Sequence, residues 1–194
     1  EKNKEYINFL KKFYSESKHK KIFFSSIDNQ LKSKTFQERI GKSQTNCIIA
    51  LHVFEHLIDP INFLNNIYQL MNNKNIFIFL VMPNYDDFYI NNLKSKSLYE
   101  YKKFTFHNAH PYYYDISTFK KLIKKQKNFK IYKIFTFQEY SLKNYFNWVI
   151  KKTHQHSISS AQDLSIDHEI DNFFKSFANK NKFGSSLVAI LKNT

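Results

Sequence analysis

The chain has 194 residues, 42% of them hydrophobic and 18% aromatic, which is enough for one domain with an apolar core and excludes collagen-like, mucin-like and disordered chains. Its one cysteine excludes a disulfide scaffold, and its longest apolar runs are too short to span a bilayer, so we expect a cytoplasmic protein without a membrane partner. The net charge of +14 comes from 30 basic residues of which only Arg39 is arginine. Because phosphate and base recognition favour the arginine fork, we attribute this charge to compositional drift and do not expect a nucleic-acid partner.

The first third of the chain predicts a helix and two strands. Residues 5–14 place aromatic and aliphatic side chains at helical spacing, and Lys21–Ser25 has the pattern of a short strand. Residues 28–44 are polar and ambiguous. Cys47–Leu51 is a short continuous apolar run, typical of a strand that is buried on both faces.

A capped helix and a further strand come next. Asp59 can cap the free amides of a helix that begins at Pro60, where the missing N–H of proline costs nothing. Its apolar face continues until Asn72–Asn75, and Ile76–Met82 then predicts a second buried strand. A strand, a helix and a strand at this spacing form a βαβ unit, which implies a parallel sheet.

The rest of the chain predicts more helices and strands of a single α/β domain. Residues 85–115 are expected to be a long irregular stretch with many aromatic residues. A helix begins at Ser117 with Phe119, Leu122 and Ile123 facing inward. Further elements are a strand at Phe129–Phe137, helices at Leu142–Val149 and Ile166–Phe177, and a last strand at Ser186–Leu191. Residues 1–194 therefore form one domain, in which residues 138–183 are a helical insertion before the last strand.

Two groups of side chains could carry chemistry. His52, Glu55 and His56 follow the strand Cys47–Leu51, and in open α/β sheets ligands bind beyond the carboxyl ends of strands. In a helical turn the three would share a face, where they could ligate a metal or hold a base beside a carboxylate. The alternative is a polar loop in which His56 bonds to the backbone. We assign no metal here.

The second group is the aromatic loop around His110, with Tyr112 and Tyr113. Such a loop could cover a substrate and exclude water, or it could simply pack over the core. Histidines 154, 156 and 168 lie in polar surroundings and receive no role.

Four segments together resemble class I S-adenosylmethionine-dependent methyltransferases. Ile48-Ile-Ala-Leu-His-Val-Phe-Glu-His-Leu-Ile-Asp-Pro60, followed by a strand ending in Met82-Pro-Asn84, is similar to that family's strand, Glu-His turn, Asp-Pro helix and Pro-Asn strand. Residues 109–117 are similar to the "His-Leu-Tyr-Tyr-Phe-Ser" element of one branch of the family, and residues 141–148 and 184–190 to the tail of that branch. The resemblance runs from about Cys47 to the end of the chain.

The resemblance implies a Rossmann-like, mostly parallel sheet with helices on both faces, and S-adenosylmethionine as the cofactor. It implies in-line methyl transfer to a small acceptor, with a sugar or a surface-polysaccharide precursor, which could be anionic, as the candidate. Ala50, Leu51 and His52 would lie along the cofactor. His56 is the first candidate base and His110 the second, while Tyr112 and Tyr113 would shape the acceptor pocket.

The family's Gly-rich cofactor loop and ribose-binding acid have no counterpart in this sequence, which contains only two glycines. On the resemblance, the chain is therefore the distal portion of a methyltransferase that lacks the first strands. Lys21–Ser25 would be the third strand, and Asp28 would lie near adenine. We expect that this portion alone could be inactive, and that a homo-oligomer could cover the exposed sheet edge.

Two alternatives stay open. A degenerate Rossmann-like domain without activity could serve as a scaffold or as a lysine-rich module that binds polyanions, and the missing glycines favour it. A nucleic-acid methyltransferase is less well supported, because His52-Val-Phe-Glu55 does not match the Asn/Asp-Pro-Pro-Tyr/Phe motif of base-modifying members.

Overall fold

The structure is a computed structural model that describes residues 45–70, 75–106, 109–153 and 166–194. The predicted helix at residues 5–14, the predicted strand Lys21–Ser25 and Asp28 lie outside the described residues. The elements below are numbered in chain order within the described part of the chain.

Four strands form one mixed sheet in the described part, in the order β1-β2-β4-β3. They are β1 (Thr45–Leu51), β2 (Asn75–Pro83), β3 (Phe129–Phe137) and β4 (Ser186–Asn193). The βαβ prediction is confirmed, because β1 and β2 are parallel with Ala50 opposite Leu80. The prediction of a mostly parallel sheet is confirmed for the described strands: β1, β2 and β3 run in the same direction, and β4, which lies between β2 and β3, is antiparallel to both. The Rossmann-like α/β class is confirmed.

Helix α1 (Pro60–Leu70) connects the two parallel strands as predicted. The Asp59 Oδ1 accepts a hydrogen bond of 2.9 Å from the backbone N–H of Asn62, which caps the first turn. Leu64 and Ile67 are buried against the sheet. In β2, buried and half-buried residues alternate, and Ile76, Ile78, Leu80 and Met82 are fully buried.

The prediction that the first of these strands is buried on both faces is wrong for the described structure. Among residues 47–51 of this strand only Ala50 is buried, whereas Ile49 is 66% and Leu51 is 55% exposed. The reason is position: β1 is at the edge of the described sheet, and no described element covers the face on which Ile49 and Leu51 lie.

The prediction of an irregular stretch over residues 85–115 is also wrong. It contains α2 (Phe88–Asn92) and α3 (Ser95–Thr105). The side chain of Asp87 accepts a hydrogen bond from the Ile90 N–H and so caps α2. These helices bury few residues, chiefly Tyr89 and Tyr101, with Leu93 buried between them, so the apolar periodicity that would reveal them in the sequence is weak.

The remaining helices are α4 (Ile116–Lys124), α5 (Leu142–Ile150) and α6 (His168–Lys180). Their predicted positions are confirmed to within a few residues. Asp115 and Thr118 form a reciprocal capping box at the start of α4, which buries Phe119 and Ile123. Helices α5 and α6 lie between β3 and β4. No helix in the described ranges has the length and apolar character needed to cross a membrane.

Within the described ranges the core consists of two clusters. The larger lies between β2, β4, α1 and α4, and Phe54 is at its centre with the rings of Phe63, Tyr114 and Phe119 at centroid distances of 6.2, 5.8 and 5.8 Å. The smaller one joins α2, α3, α5 and α6 through Tyr89, Leu93, Tyr101, Trp148 and Phe174. The second cluster fixes the helical layer that faces the carboxyl ends of β1 and β2.

Candidate active site

The chain leaves β1 through an unusual backbone conformation at His52. This residue has a φ of 51°, in the left-handed region, while its N–H still donates to the Val81 carbonyl at 2.8 Å. A 3₁₀ turn follows over Phe54–His56. Because Phe54 is anchored in the core, the turn is held directly beyond the carboxyl end of β1.

His52 lies between two carboxylates. Its Nδ1 is 3.4 Å from Glu55 Oε1, and its Nε2 is 3.9 Å from Glu139 Oε1. Interaction with Glu55 raises the pKa of the His52 imidazole above its ordinary value although partial burial opposes the rise, and the charge of Glu139 adds to it. The Ser186 hydroxyl donates a short hydrogen bond to Glu139. This arrangement favours an imidazole that takes up a proton.

Glu55 is only 1% exposed. Neither of its carboxylate oxygens has a hydrogen-bond partner among the described residues. The His52 Nδ1 is 3.4 Å from Glu55 Oε1, which is an ion-pair distance and is longer than an ordinary N–H···O hydrogen bond. A buried carboxylate in this state is unusual, because burial of a charge without compensating hydrogen bonds is costly.

His56 and His110, the first and second candidate bases of the sequence prediction, lie together. His56 Nδ1 is 2.8 Å from the Ala109 carbonyl oxygen, and the two imidazole rings meet at a centroid distance of 4.4 Å and an angle of 72°. The backbone bond predicted for His56 in the polar-loop alternative is therefore present. Potential donor atoms of Glu55, His56 and His110 all lie within 4.8 Å of one another. His110 takes the place that the sequence prediction gave to His52 in a metal-ligand trio.

A cavity of about 290 Å³ lies next to these residues. It is bounded by the carboxyl ends of β1 and β2, the start of β4, α3 and the loop before α4. Its polar lining includes His52, Asn84, Asp87, Tyr101, His110 and Ser186. Of the two histidines predicted as bases, His110 lines this cavity and His56 does not.

Asp87 and Tyr101 form a buried pair in the cavity wall. The Tyr101 hydroxyl donates a short hydrogen bond to Asp87 Oδ2, and the Ile90 N–H donates to Oδ1 at 2.6 Å. Burial raises the pKa of the Asp87 carboxyl to about 7, against the opposing effect of these hydrogen bonds. Sequence reasoning missed both residues, together with Glu139 and Ser186, because they are brought together only by the sheet order and by the packing of α2 on α3.

The tyrosines predicted to shape the acceptor pocket do not line this cavity. The Tyr112 hydroxyl donates to the Ile58 carbonyl at 3.0 Å, on the outer side of the 3₁₀ turn. Tyr113 donates to the Thr105 carbonyl at 3.2 Å, and its ring is 5.5 Å from that of His110. Tyr113 therefore contacts two residues of the cavity wall, Thr105 and His110, without lining the cavity itself.

A second cavity, of about 470 Å³, shares the wall formed by Asn84. The side chain of Asn84 is buried and donates to the carbonyl oxygens of Gly184 (2.8 Å), Asp86 (3.1 Å) and Lys182 (3.3 Å). The wall of this cavity is rich in cations: it includes Lys120, Lys121, Lys124 and Lys182, with Asp86 and Asp115 as the acidic residues.

The predicted cofactor residues lie at the end of β1. Ala50 is buried in the core, Leu51 is exposed on the opposite face of the strand, and His52 begins the turn. Asp28 lies outside the described residues. Their predicted contact with the cofactor, like the predicted base role of His56 and His110, stays a prediction.

Comparison with known proteins identifies the family. A model of the family described as "Methyltransferase domain" matches residues 6–134, about two thirds of the chain. No curated protein matches the sequence. A solved structure described as a SAM-dependent methyltransferase from Archaeoglobus fulgidus is similar at 16% sequence identity and a TM-score of 0.42, covering 97% of this chain and 73% of that one. The matched residues include β1, α1, β2 and the turn with His52, Glu55 and His56. The chain therefore belongs to the methyltransferase domain family, as a class I S-adenosylmethionine-dependent enzyme.

Proposed function

We propose that this enzyme methylates a hydroxyl or amino group of a small acceptor bound in the 290 Å³ cavity, and that His52 is the base that receives the acceptor's proton. The observation that carries the proposal is the position of His52, which lines the cavity and lies between Glu55 and Glu139. His56 and His110 are directed toward each other, so their geometry favours this role less.

The chain's own residues hold and move one proton. Glu55, next to Nδ1, stabilises the imidazolium that forms when His52 accepts a proton at Nε2, which is the nitrogen nearer Glu139. When bound, S-adenosylmethionine supplies the sulfonium methyl group that the acceptor's oxygen or nitrogen attacks, and S-adenosylhomocysteine leaves. Positioning of the acceptor by the cavity contributes the larger part of the acceleration.

The end of β1 suits the cofactor. Leu51 is exposed at the carboxyl end of the strand and Ile58 is 84% exposed just beyond the turn, so two large apolar side chains are open at the edge of the site. Apolar surface in this position fits the aliphatic and aromatic parts of S-adenosylmethionine.

Cavity chemistry supports a polar, anionic acceptor. The first cavity carries hydroxyl, amide, imidazole and carboxyl groups, which suit the hydroxyls of a sugar. The neighbouring cavity carries four lysines, which suit a phosphate or carboxylate of the same molecule on the far side of Asn84. A sugar nucleotide or sugar phosphate, as a precursor of a surface polysaccharide, combines both features.

A non-catalytic module that binds polyanions is the second candidate, and the lysine cavity is the observation that favours it. The two candidates differ in their dependence on the cofactor. Calorimetric titration with S-adenosylhomocysteine separates them, since a module without a cofactor site gives no heat of binding.

The test of the base is His52→Gln, with His168→Gln on α6 as the matched control. Methyl transfer from labelled S-adenosylmethionine to a panel of sugar nucleotides and sugar phosphates is followed across pH. We expect His52→Gln to lower turnover about 10²–10⁴-fold and to remove the acidic limb of the pH–rate profile, whose apparent pKa lies above 6.5 in the parent enzyme. Unchanged turnover, or a loss that leaves the acidic limb in place, would contradict the role of His52.

A further inference from the structure

We propose that Glu55, His56 and His110 bind one first-row divalent cation, beside the methyl-transfer site. One potential donor atom from each residue lies within 4.8 Å of the other two. Glu55 and His56 come from the turn after β1, and His110 comes from the loop before α4. The contact of His56 with the Ala109 carbonyl holds the two segments together, so the fold brings the three side chains into one place.

Glu55 provides the first independent observation. Its carboxylate is 1% exposed, and neither oxygen has a hydrogen-bond partner among the described residues. The nearest basic nitrogen is His52 Nδ1 at 3.4 Å from one oxygen. A buried carboxylate without hydrogen bonds is stable only when a positive charge compensates it. The half-exposed His52 imidazole compensates the carboxylate only in part, and a bound cation supplies the remaining charge.

His56 provides the second independent observation. Its Nδ1 is 2.8 Å from a carbonyl oxygen, which can only accept a hydrogen bond, so Nδ1 carries the proton and the lone pair lies on Nε2. A backbone carbonyl on the other ring nitrogen is a common outer-shell support for a metal-bound histidine. The imidazole is therefore already in the tautomer that a metal requires.

The donor set determines the class of metal. Two imidazoles and one carboxylate suit zinc, manganese, iron or cobalt, whereas magnesium and calcium prefer oxygen ligands alone. Metal–ligand distances of about 2.0–2.2 Å require the three donors to draw together by roughly an ångström.

The position of the site gives the cation a role. His110 lines the 290 Å³ cavity, so an open coordination position there meets the acceptor. An acceptor hydroxyl bound to the cation loses its proton more easily, and His52 is placed to take that proton. This role rests on the proposed function, but cation binding itself does not.

The test uses Co²⁺ as a spectroscopic probe of the whole protein carrying Cys47→Ser, which removes the exposed thiol as a competing ligand. We expect one Co²⁺ per chain with visible absorption that Zn²⁺ abolishes. His56→Ala, His110→Ala and Glu55→Gln should each weaken Co²⁺ binding at least about 10–100-fold, the loss that even outer-shell changes cause. His168→Ala, at an exposed histidine on α6, should leave binding unchanged.

Glu55→Gln also separates loss of the site from loss of the fold. Because Gln keeps the size of Glu55 and removes a buried carboxylate that has no hydrogen-bond partner among the described residues, the variant should stay folded without metal, with a melting temperature close to that of the parent, and Zn²⁺ should no longer raise that temperature. Equal Co²⁺ affinity in the parent and in all three ligand variants, or no binding by the folded parent at millimolar Co²⁺, would overturn the proposal. His52→Gln and the S-adenosylhomocysteine titration test the methyl-transfer proposal separately.

Discussion

Replacing Asp87 by Asn tests whether the cavity wall contains a carboxyl that prefers to be neutral. The side chain of Asp87 is buried, caps α2 and accepts a hydrogen bond from Tyr101. Asparagine has the same shape, is an equally good helix cap, and can donate its amide hydrogen to the tyrosine oxygen. The substitution therefore removes the ionisation of residue 87 and keeps its contacts.

The magnitude follows from the pKa, which burial raises from 3.8 to about 7. For a carboxyl with a raised pKa, the stability contributed by the neutral form is complete below pH 4 and is lost as the pH rises through 7. At about 1.4 kcal/mol for each pKa unit, the full cost of ionisation is about 4 kcal/mol, of which about 2–3 kcal/mol falls between pH 5 and pH 8.

Urea denaturation of the parent and of Asp87→Asn at pH 5 and pH 8 measures this effect. We expect the free energy of unfolding of the variant, relative to the parent, to rise by about 2–3 kcal/mol from the lower to the higher pH. Asp115→Asn, at the more accessible cap of α4, shows what the same chemical change does at a cap that solvent reaches. A difference between variant and parent that is equal at both pH values, or that falls with pH, would refute the reasoning.

Two further substitutions test the fold. Gly184→Ala would place a Cβ 2.7 Å from backbone atoms of Phe137, so it should lower the free energy of unfolding by about 1–3 kcal/mol, measured by thermal melting against Ser176→Ala. Phe54→Ala empties the centre of the larger cluster and should cost about 3–5 kcal/mol in urea denaturation. Ile58→Ala, four residues along and 84% exposed, should cost little, and similar losses at positions 54 and 58 would contradict the placement of the core.

Much of the fold could be predicted because its signals are local. The Asp59-Pro60 cap, the apolar run of β2 and the alternation in β3 each act within a few residues, and each gave the observed element. The antiparallel direction of β4 could not be predicted, because the hydrophobic pattern of a buried strand is the same in either direction. Helices α2 and α3 were missed because they bury few side chains in a polar segment.

Some residues of the candidate site could likewise be predicted from local sequence, and others could not. His52, Glu55 and His56 are neighbours in the chain, so their spacing alone drew attention to them, and the loop with His110 was found through its composition. The contact of His110 with His56 spans more than fifty residues and needs the folded loop to form. Asp87 was not found at all, because a helix cap and a buried cavity carboxyl have the same appearance in a sequence.

The left-handed backbone at His52 sets stability against activity, because the proposed base occupies a conformation that other residues adopt at a lower cost. Most residues with a Cβ lose about 1–2 kcal/mol in this conformation, whereas glycine has no Cβ to clash and the short polar side chain of asparagine tolerates it. A library selected only for heat resistance would therefore enrich Gly or Asn at position 52 and discard the imidazole. Repeated selection for turnover should restore histidine. The residue recovered at position 52 would therefore show whether heat resistance or turnover had been selected.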